Sequence, residues 1–242
     1  APQPVYTFSA KSDSASLTAR DIRLAPSGVR FCALEEGELV RVKTNLPGQF
    51  SVYNALAAIS CARLLGVSLA DAAAALETAH GAKGRVEPVP TDGDYSIFID
   101  YAVTPDAIEN VLTTLRGIAP KRLVMLFGAG GDRDRKKRPI MGKLSADIAD
   151  FVIVTSDNPR TEDPMSIIEE ILPGVRAGKA PYKVICDRPE AIRWAIDHHE
   201  PGDVILLCGK GHEDYQIIGH EKIHMDEREI VADYLAERAK RT

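Results

Sequence analysis

Residues 96–208 alternate short, almost wholly apolar runs with helix-length segments, and that rhythm admits few folds. Ser96-Ile97-Phe98-Ile99, Leu123-Val124-Met125-Leu126-Phe127, Phe151-Val152-Ile153-Val154, 182–186 and 203–208 read as strands. Helices are expected between them, from Pro105 to Leu115, from Pro139 to Ile148, over 164–172 and over 189–198. Strands without a polar face must be covered on both sides, and strands joined by helices run parallel, with right-handed crossovers. The expectation is an α/β chain whose C-terminal part is Rossmann-like and doubly wound.

The N-terminal part has a different rhythm. Residues 16–22, 29–34 and 39–44 read as strands, with Glu35-Glu36-Gly37-Glu38 as a hairpin turn. An Ala-rich helix follows from Gln49 through Leu65, stopped by Gly66, and Ser68 caps a second helix from Leu69 to Thr78. The change of pattern places a domain boundary between 1–82 and 83–242. The tail 226–242 reads as an exposed amphipathic helix ending in Lys240-Arg241.

Bulk properties exclude several classes. A chain of 242 residues that is 45% hydrophobic has ample material for a core. A net charge of −5 gives no general attraction to nucleic acid or anionic membrane, although a local basic loop can still bind phosphate. Cys32, Cys61, Cys186 and Cys208 form no CxxC and are expected as buried, reduced thiols. No run approaches a membrane span, and Ala1-Pro2-Gln3-Pro4 lacks the features of a signal peptide, so the cytoplasm is the expected compartment.

In a parallel sheet the loops after successive strands gather at the carboxyl edge, where such sheets bind ligands. Four polar loops qualify here. They are Asp100 to Asp106, Gly128 to Arg138, Asp157-Asn158-Pro159-Arg160, and Gly209 to Tyr215. The glycines at 128, 130 and 131 let backbone amides approach an anion, and the basic run after them can neutralise phosphate or carboxylate. A solvated charge run opening a helix would look the same. The spacing is not that of a dinucleotide fingerprint, and no G-x-x-x-x-G-K-[ST] occurs anywhere in the chain. Arg160 offers a planar fork for a carboxylate, and Glu213 near Arg133 and Arg160 makes a site of both charge signs, as an amino acid requires. His212 is read as a loop-bonding residue rather than a catalyst, His198-His199 as a helix end without a third metal ligand, and Trp194 as packing.

Taken together these segments resemble the Mur ligase family, in its diaminopimelate-adding branch. The resemblance rests on Gly131-Asp132-Arg133-Asp134, Arg138-Pro139, Asp157-Asn158-Pro159-Arg160 and Gly209-Lys210-Gly211-His212-Glu213-Asp214-Tyr215-Gln216, in that order, and spans nearly the whole chain. It implies that residues 1–82 are the C-terminal part of a central ATP-binding domain and that 83–242 are the amino-acid-binding domain. It further implies that Arg133, Asp157, Asn158, Arg160, Gly209 and Glu213 hold meso-diaminopimelate, with Arg160 reading the distal carboxylate. Asn54, Arg85 and Asp100 match positions around the nucleotide. Val103 stands where the family has His in DYAHTPD, and Ala129 where Cys is common.

The reaction implied for the full-length enzyme uses ATP and Mg2+. ATP phosphorylates the D-glutamate γ-carboxylate of UDP-N-acetylmuramoyl-L-alanyl-D-glutamate, and the diaminopimelate amino group displaces phosphate from the acyl phosphate. The family's P-loop and UDP-binding domain precede the matched region, so this chain is expected to bind the acceptor without ligating. Two further readings fit the residues less closely, a non-catalytic amino-acid-binding module and a folylpolyglutamate-type relative, which is not expected to carry Asp-Asn-Pro-Arg.

Overall fold

The computed structural model describes residues 5–240. Ala1-Pro2-Gln3-Pro4 and the terminal Arg241 of the expected tail lie outside the described residues. The chain divides into two compact units, Ala1–Gly81 and Ala82–Thr242.

In the first unit, β1 (Phe8–Ser9), β2 (Leu17–Ala25), β3 (Gly28–Glu35) and β4 (Glu38–Thr44) form a four-stranded sheet in that order. β1 runs parallel to β2, and β2, β3 and β4 are successively antiparallel. The expected hairpin turn is present between β3 and β4, with Glu36 and Gly37 both at positive φ. α1 (Gln49–Leu64) and α2 (Leu69–Leu76) cover one face. Alternation explains why: Val29, Phe31, Ala33 and Val42 point inward and meet Val52, Leu56, Ile59 and Leu69 in one apolar core. Ser68 caps α2, its hydroxyl accepting from the Asp71 amide at 3.0 Å.

The second unit runs β5 (Glu87–Val89), β6 (Ser96–Asp100), α3 (Pro105–Arg116), β7 (Leu123–Phe127), α4 (Lys137–Ile148), β8 (Phe151–Val154), α5 (Pro164–Ala177), β9 (Tyr182–Val184), α6 (Arg188–Asp197), β10 (Val204–Cys208), β11 (Tyr215–Ile218), β12 (Glu221–His224) and α7 (Glu227–Ala239). The main sheet has six strands in the order β5-β6-β10-β7-β8-β9. All neighbours are parallel except β5, which pairs antiparallel with β6. Thr104-Pro105 and Asp163-Pro164 start α3 and α5, each with a capping side-chain oxygen before a proline that needs no donor.

Burial on both faces follows from the apolar runs. Ile97, Ile99, Val124, Leu126, Ile205 and Leu207 share a core with Ala191, Ile192, Val231 and Tyr234 of α6 and α7. The intervening Phe98, Met125 and Leu206 are equally buried on the opposite face, where α3, α4 and α5 pack on one another. β10 returns to lie between β6 and β7. The loops after β6, β10, β7 and β8 therefore stand side by side along one edge.

Several expectations are corrected. α5 continues past Pro173 to Ala177, because Gly174 packs so closely on α4 that a Cβ there would lie 1.8 Å from the Pro139 carbonyl oxygen. That helix contact outweighs the one backbone bond a proline removes. α7 is not simply exposed, since Val231 and Tyr234 reach the core and Glu227 is fully buried. All four cysteines are free, yet only Cys208 is buried and Cys61 is exposed. The β11–β12 hairpin was not expected; its strands are short, and its apolar residues Ile218 and Ile223 are exposed rather than in the core.

Arg188 and Glu227, both fully buried, form an ion pair of 2.8 Å between α6 and α7. Arg188 also donates to the carbonyls of Ser156 at 3.3 Å and Cys208 at 2.8 Å. One guanidinium thus ties both helices to the ends of β8 and β10. Arg188→Met is expected to destabilise the chain by ~3–5 kcal/mol, since it leaves Glu227 charged and unpaired. Urea unfolding of Arg188→Met, Glu227→Leu and the double variant should give a coupling energy of about 2 kcal/mol.

Candidate functional site

The site grows out of the carboxyl ends of β7, β8 and β10. Thr155 through Pro159 leave β8 as buried loop. Asn158 is held at both ends of its amide: Nδ2 donates to Glu213 Oε2 at 2.9 Å, while Oδ1 accepts from Lys210 Nζ at 2.8 Å and from the Ile217 amide at 2.9 Å. Lys210 closes the triangle with a 2.7 Å ion pair to the same Glu213 oxygen. Lys210 is fully buried, and its ammonium also lies 5.3 Å from the Tyr215 ring centroid. The loops after β8 and β10 are therefore locked to each other by one buried cation.

Arg160 follows in a left-handed backbone conformation, φ 52°. The β11–β12 hairpin supplies the constraint: the Arg160 amide donates to Ile217 O at 3.0 Å and its carbonyl accepts from the Gly219 amide at 2.7 Å. Nη1 donates to the Gly131 carbonyl at 2.8 Å. Nη1 also reaches the Asn158 carbonyl at 3.5 Å, while Nε and Nη2 make no hydrogen bond among the described residues. Gly131 must be glycine here, because a Cβ would lie 1.8 Å from the Pro159 carbonyl oxygen. The glycine loop and the Asp-Asn-Pro-Arg loop are in direct backbone contact, with the Gly131 amide donating to Asn158 O at 2.9 Å.

Asp157 contributes a buried carboxylate. Oδ1 accepts from the Asn158 amide at 2.7 Å, whereas Oδ2 has no partner among the described residues. Gly209, at φ +112°, passes next to that oxygen, and a Cβ there would sit 2.8 Å from it. A buried, unpartnered carboxylate oxygen is suited to an ammonium group. Arg133 is exposed at the rim, and Nη1 donates only to the neighbouring Asp132 carbonyl at 3.0 Å. Its loop is braced from below by fully buried Arg138, which bonds Gly130 O and both carboxylate oxygens of Glu162. That guanidinium holds the Glu162 carboxyl at about 2.

The structure thus brings Arg133, Asp157, Asn158, Arg160, Gly209 and Glu213 to one edge. The other three residues do not join this cluster of side chains, although Asp100 ends β6 on the same edge and its carbonyl accepts from the Gly209 amide at 2.9 Å. Asn54 is exposed on α1 of the first unit. Arg85 is exposed, with its guanidinium 5.7 Å from the Tyr101 ring centroid, and His212 packs on the same ring at 4.9 Å rather than bonding the loop. Asp100 is buried and accepts from the amides of Val86 at 2.9 Å and Ala102 at 2.8 Å, so its carboxylate braces backbone. Burial pushes its pKa up, against those two bonds. Val103 offers its carbonyl to Lys137 Nζ at 2.8 Å, a contact that its side chain does not control. Trp194 packs against the core, stacked on Phe151 and His198.

Lys210, Gln216 and the hairpin carry much of this geometry and were not singled out from sequence. Gln216 Nε2 donates to the Asp157 carbonyl at 2.5 Å. A lysine between two glycines looks like an exposed loop cation. The signal that could have found it is the pair Lys210 and Glu213, three residues apart, in a loop that must approach Asn158.

Comparison with known proteins agrees with this architecture. The model of the Mur ligase glutamate ligase domain matches residues 84–211, and that of the Mur ligase middle domain matches residues 1–62. The chain belongs to the Mur ligase family. It is 48% identical over 236 residues to a UDP-N-acetylmuramoyl-L-alanyl-D-glutamate--2,6-diaminopimelate ligase of Caldanaerobacter subterraneus subsp. tengcongensis, a match covering 98% of this chain and 48% of that protein. The Trichormus variabilis protein of the same name is 46% identical over 242 residues, 99% of this chain and 48% of its own length. A solved structure of a ligase of that name superposes with a TM-score of 0.80 at 34% identity, covering 97% of this chain and 48% of the other. A folylpolyglutamate synthase from Thermotoga maritima, TM-score 0.62 at 22% identity, shares the fold alone. The chain spans about half the length of the curated relatives it matches. No helix among the described residues of this Mur ligase chain is long and apolar enough to cross a membrane.

Burial alone would raise the Glu213 pKa, but hydrogen bonds from Lys210 and Asn158 outweigh it and hold the carboxyl below its ordinary value. A depressed pKa contributes stability that is full above the unfolded value, near ~4.3, and is lost as pH falls through the folded value. Glu213→Gln is expected to cost ~3 kcal/mol at about pH 7, because Lys210 then keeps a buried charge without a counter-charge. The gap to the parent protein should narrow at a pH low enough to protonate Glu213 in both states. Urea titrations at the two pH values check this, and an equal gap at both would contradict it.

Proposed function

We propose that this chain is the acceptor-binding portion of an ATP-dependent ligase that joins meso-diaminopimelate to UDP-N-acetylmuramoyl-L-alanyl-D-glutamate in cytoplasmic peptidoglycan precursor synthesis. The observation that carries this reading is the convergence of the partly open Arg160 fork with the unpartnered, buried Asp157 oxygen and with Glu213. Diaminopimelate carries an ammonium and a carboxylate at each end. A site with fixed carboxylates beside a guanidinium suits one such end, and Arg133 at the rim adds a second cation. Lysine lacks the distal carboxylate and would leave the Arg160 fork unfilled. The names carried by the most similar relatives support the same substrate class.

In this reading the chain contributes position rather than bond-making. The Lys210 triangle fixes Asn158 and Glu213 before ligand arrives, so the acceptor amino group is presented with little conformational freedom left to lose. ATP supplies the phosphoryl group that activates the acceptor's partner carboxylate. Arg85, exposed and without an ion pair among the described residues, fits a phosphate contact, and Asn54 is proposed on the nucleotide side as well. Asp100 acts by bracing the Val86 and Ala102 amides. No group of His, Cys, Asp or Glu able to hold a metal occurs among the described residues, so no magnesium ligand is assigned to this chain.

Arg160→Lys keeps the charge and loses the two-point grip, which is expected to weaken meso-diaminopimelate binding by ~1–3 kcal/mol. Arg160→Ala should weaken meso-diaminopimelate far more than L-lysine. Titration of both ligands against each variant checks the assignment, and an equal loss for the two ligands would remove Arg160 from the distal-carboxylate role.

A further inference from the structure

The outward face of the first unit's sheet gathers positive charge. Residues 1–81 contain seven Lys and Arg, and five of them, Arg20, Arg23, Arg30, Arg41 and Lys43, lie exposed on β2, β3 and β4. They stand in cross-strand rows. Arg23 pairs in register with Arg30, and Arg30 with Lys43. Adjacent strands are ~4.8 Å apart and like charges directly opposite destabilise a sheet, so this row has a folding cost.

A backbone irregularity sustains the arrangement. Arg20 and Arg23 are three residues apart, which in a regular strand puts them on opposite faces. A bulge between them, with Asp21 at φ 50°, places two residues opposite Phe31 and turns both arginines outward. Ile22 packs inward. Among the described residues Asp21 makes no ion pair with the cations, and the one pair on this face joins Arg20 to Asp13.

Arg23, Arg30 and Lys43, with Ser27, Gly28 and Asn45, line a pocket of about 450 Å3 that no carboxylate enters. We propose that this pocket binds a phosphoryl-bearing ligand of two or more negative charges. Three cations with no ion pair among the described residues line one pocket roomy enough for a diphosphate, whereas a monocarboxylate would leave most of the charge uncompensated. The pocket is lined wholly by residues of the first unit.

The test follows backbone amide signals by NMR on the full chain at low salt. Inorganic pyrophosphate is expected to shift the Gly28 and Asn45 amides saturably while the Gly209 amide at the acceptor site stays in place. Arg30→Gln and Lys43→Gln should each weaken binding about tenfold and should melt no lower than the parent, because each removes one of two facing like charges. An ADP arm separates the two sources of the group: equal affinity identifies the diphosphate itself, and tighter binding at the same amides identifies a nucleotide. Shifts that do not saturate, variants that bind as the parent does, or a single-stranded RNA that binds tighter across the whole sheet face would each overturn the proposal.

Discussion

The ammonium of Lys210 is the interaction on which the candidate site depends. It is fully buried, at 2.7–2.8 Å from Glu213 and Asn158, and it belongs to the loop after β10 while Asn158 belongs to the loop after β8. β7 lies between those strands. A buried charge in such a position is costly unless every proton is satisfied, so the geometry of the two loops is not free to drift. Everything else at this edge is arranged around that triangle: the hairpin that carries Ile217 and fixes the Arg160 backbone, and the glycine loop pressed onto Pro159.

Beneath the triangle lies a second layer of buried cations. Arg188 ties the ends of β8 and β10 to α6 and α7, and Arg138 ties the glycine loop to Glu162 and Glu170. Both side chains are essentially inaccessible to solvent. Their guanidinium forks satisfy backbone carbonyls and carboxylates together, which is the use for which arginine surpasses lysine. The result is a polar edge held as rigidly as the apolar sheet that supports it, in keeping with a role of positioning rather than chemistry.

The sheet was legible because its strands are apolar on both faces, and the carboxyl-edge rule then places the loops after β6, β7, β8 and β10 together. Asp157, Asn158 and Arg160 could be named because a carboxylate, an amide and a guanidinium in one loop are conspicuous, and Glu213 because it adds a carboxylate from a neighbouring loop on the same edge. The residues that hold them were less visible. Nothing in the sequence marks Lys210, Arg138 or Arg188 as buried, since a sequence does not show which cation meets a buried carboxylate. The β11–β12 hairpin lacks the period-2 alternation that marks a strand, because neither of its faces joins the core. The expected helix over 164–172 ended just before Pro173, and the Gly174 contact with α4 explains why it continues.

The central claim is that the second unit already holds an acceptor site for a diamino dicarboxylic acid. Calorimetric titration of this chain with meso-diaminopimelate, and separately with L-lysine, addresses it most directly. Saturable one-site binding of meso-diaminopimelate, with L-lysine at least about tenfold weaker for want of the contact to Arg160, is the predicted result. Absence of saturable meso-diaminopimelate binding, or equal affinity for the two, would contradict the account.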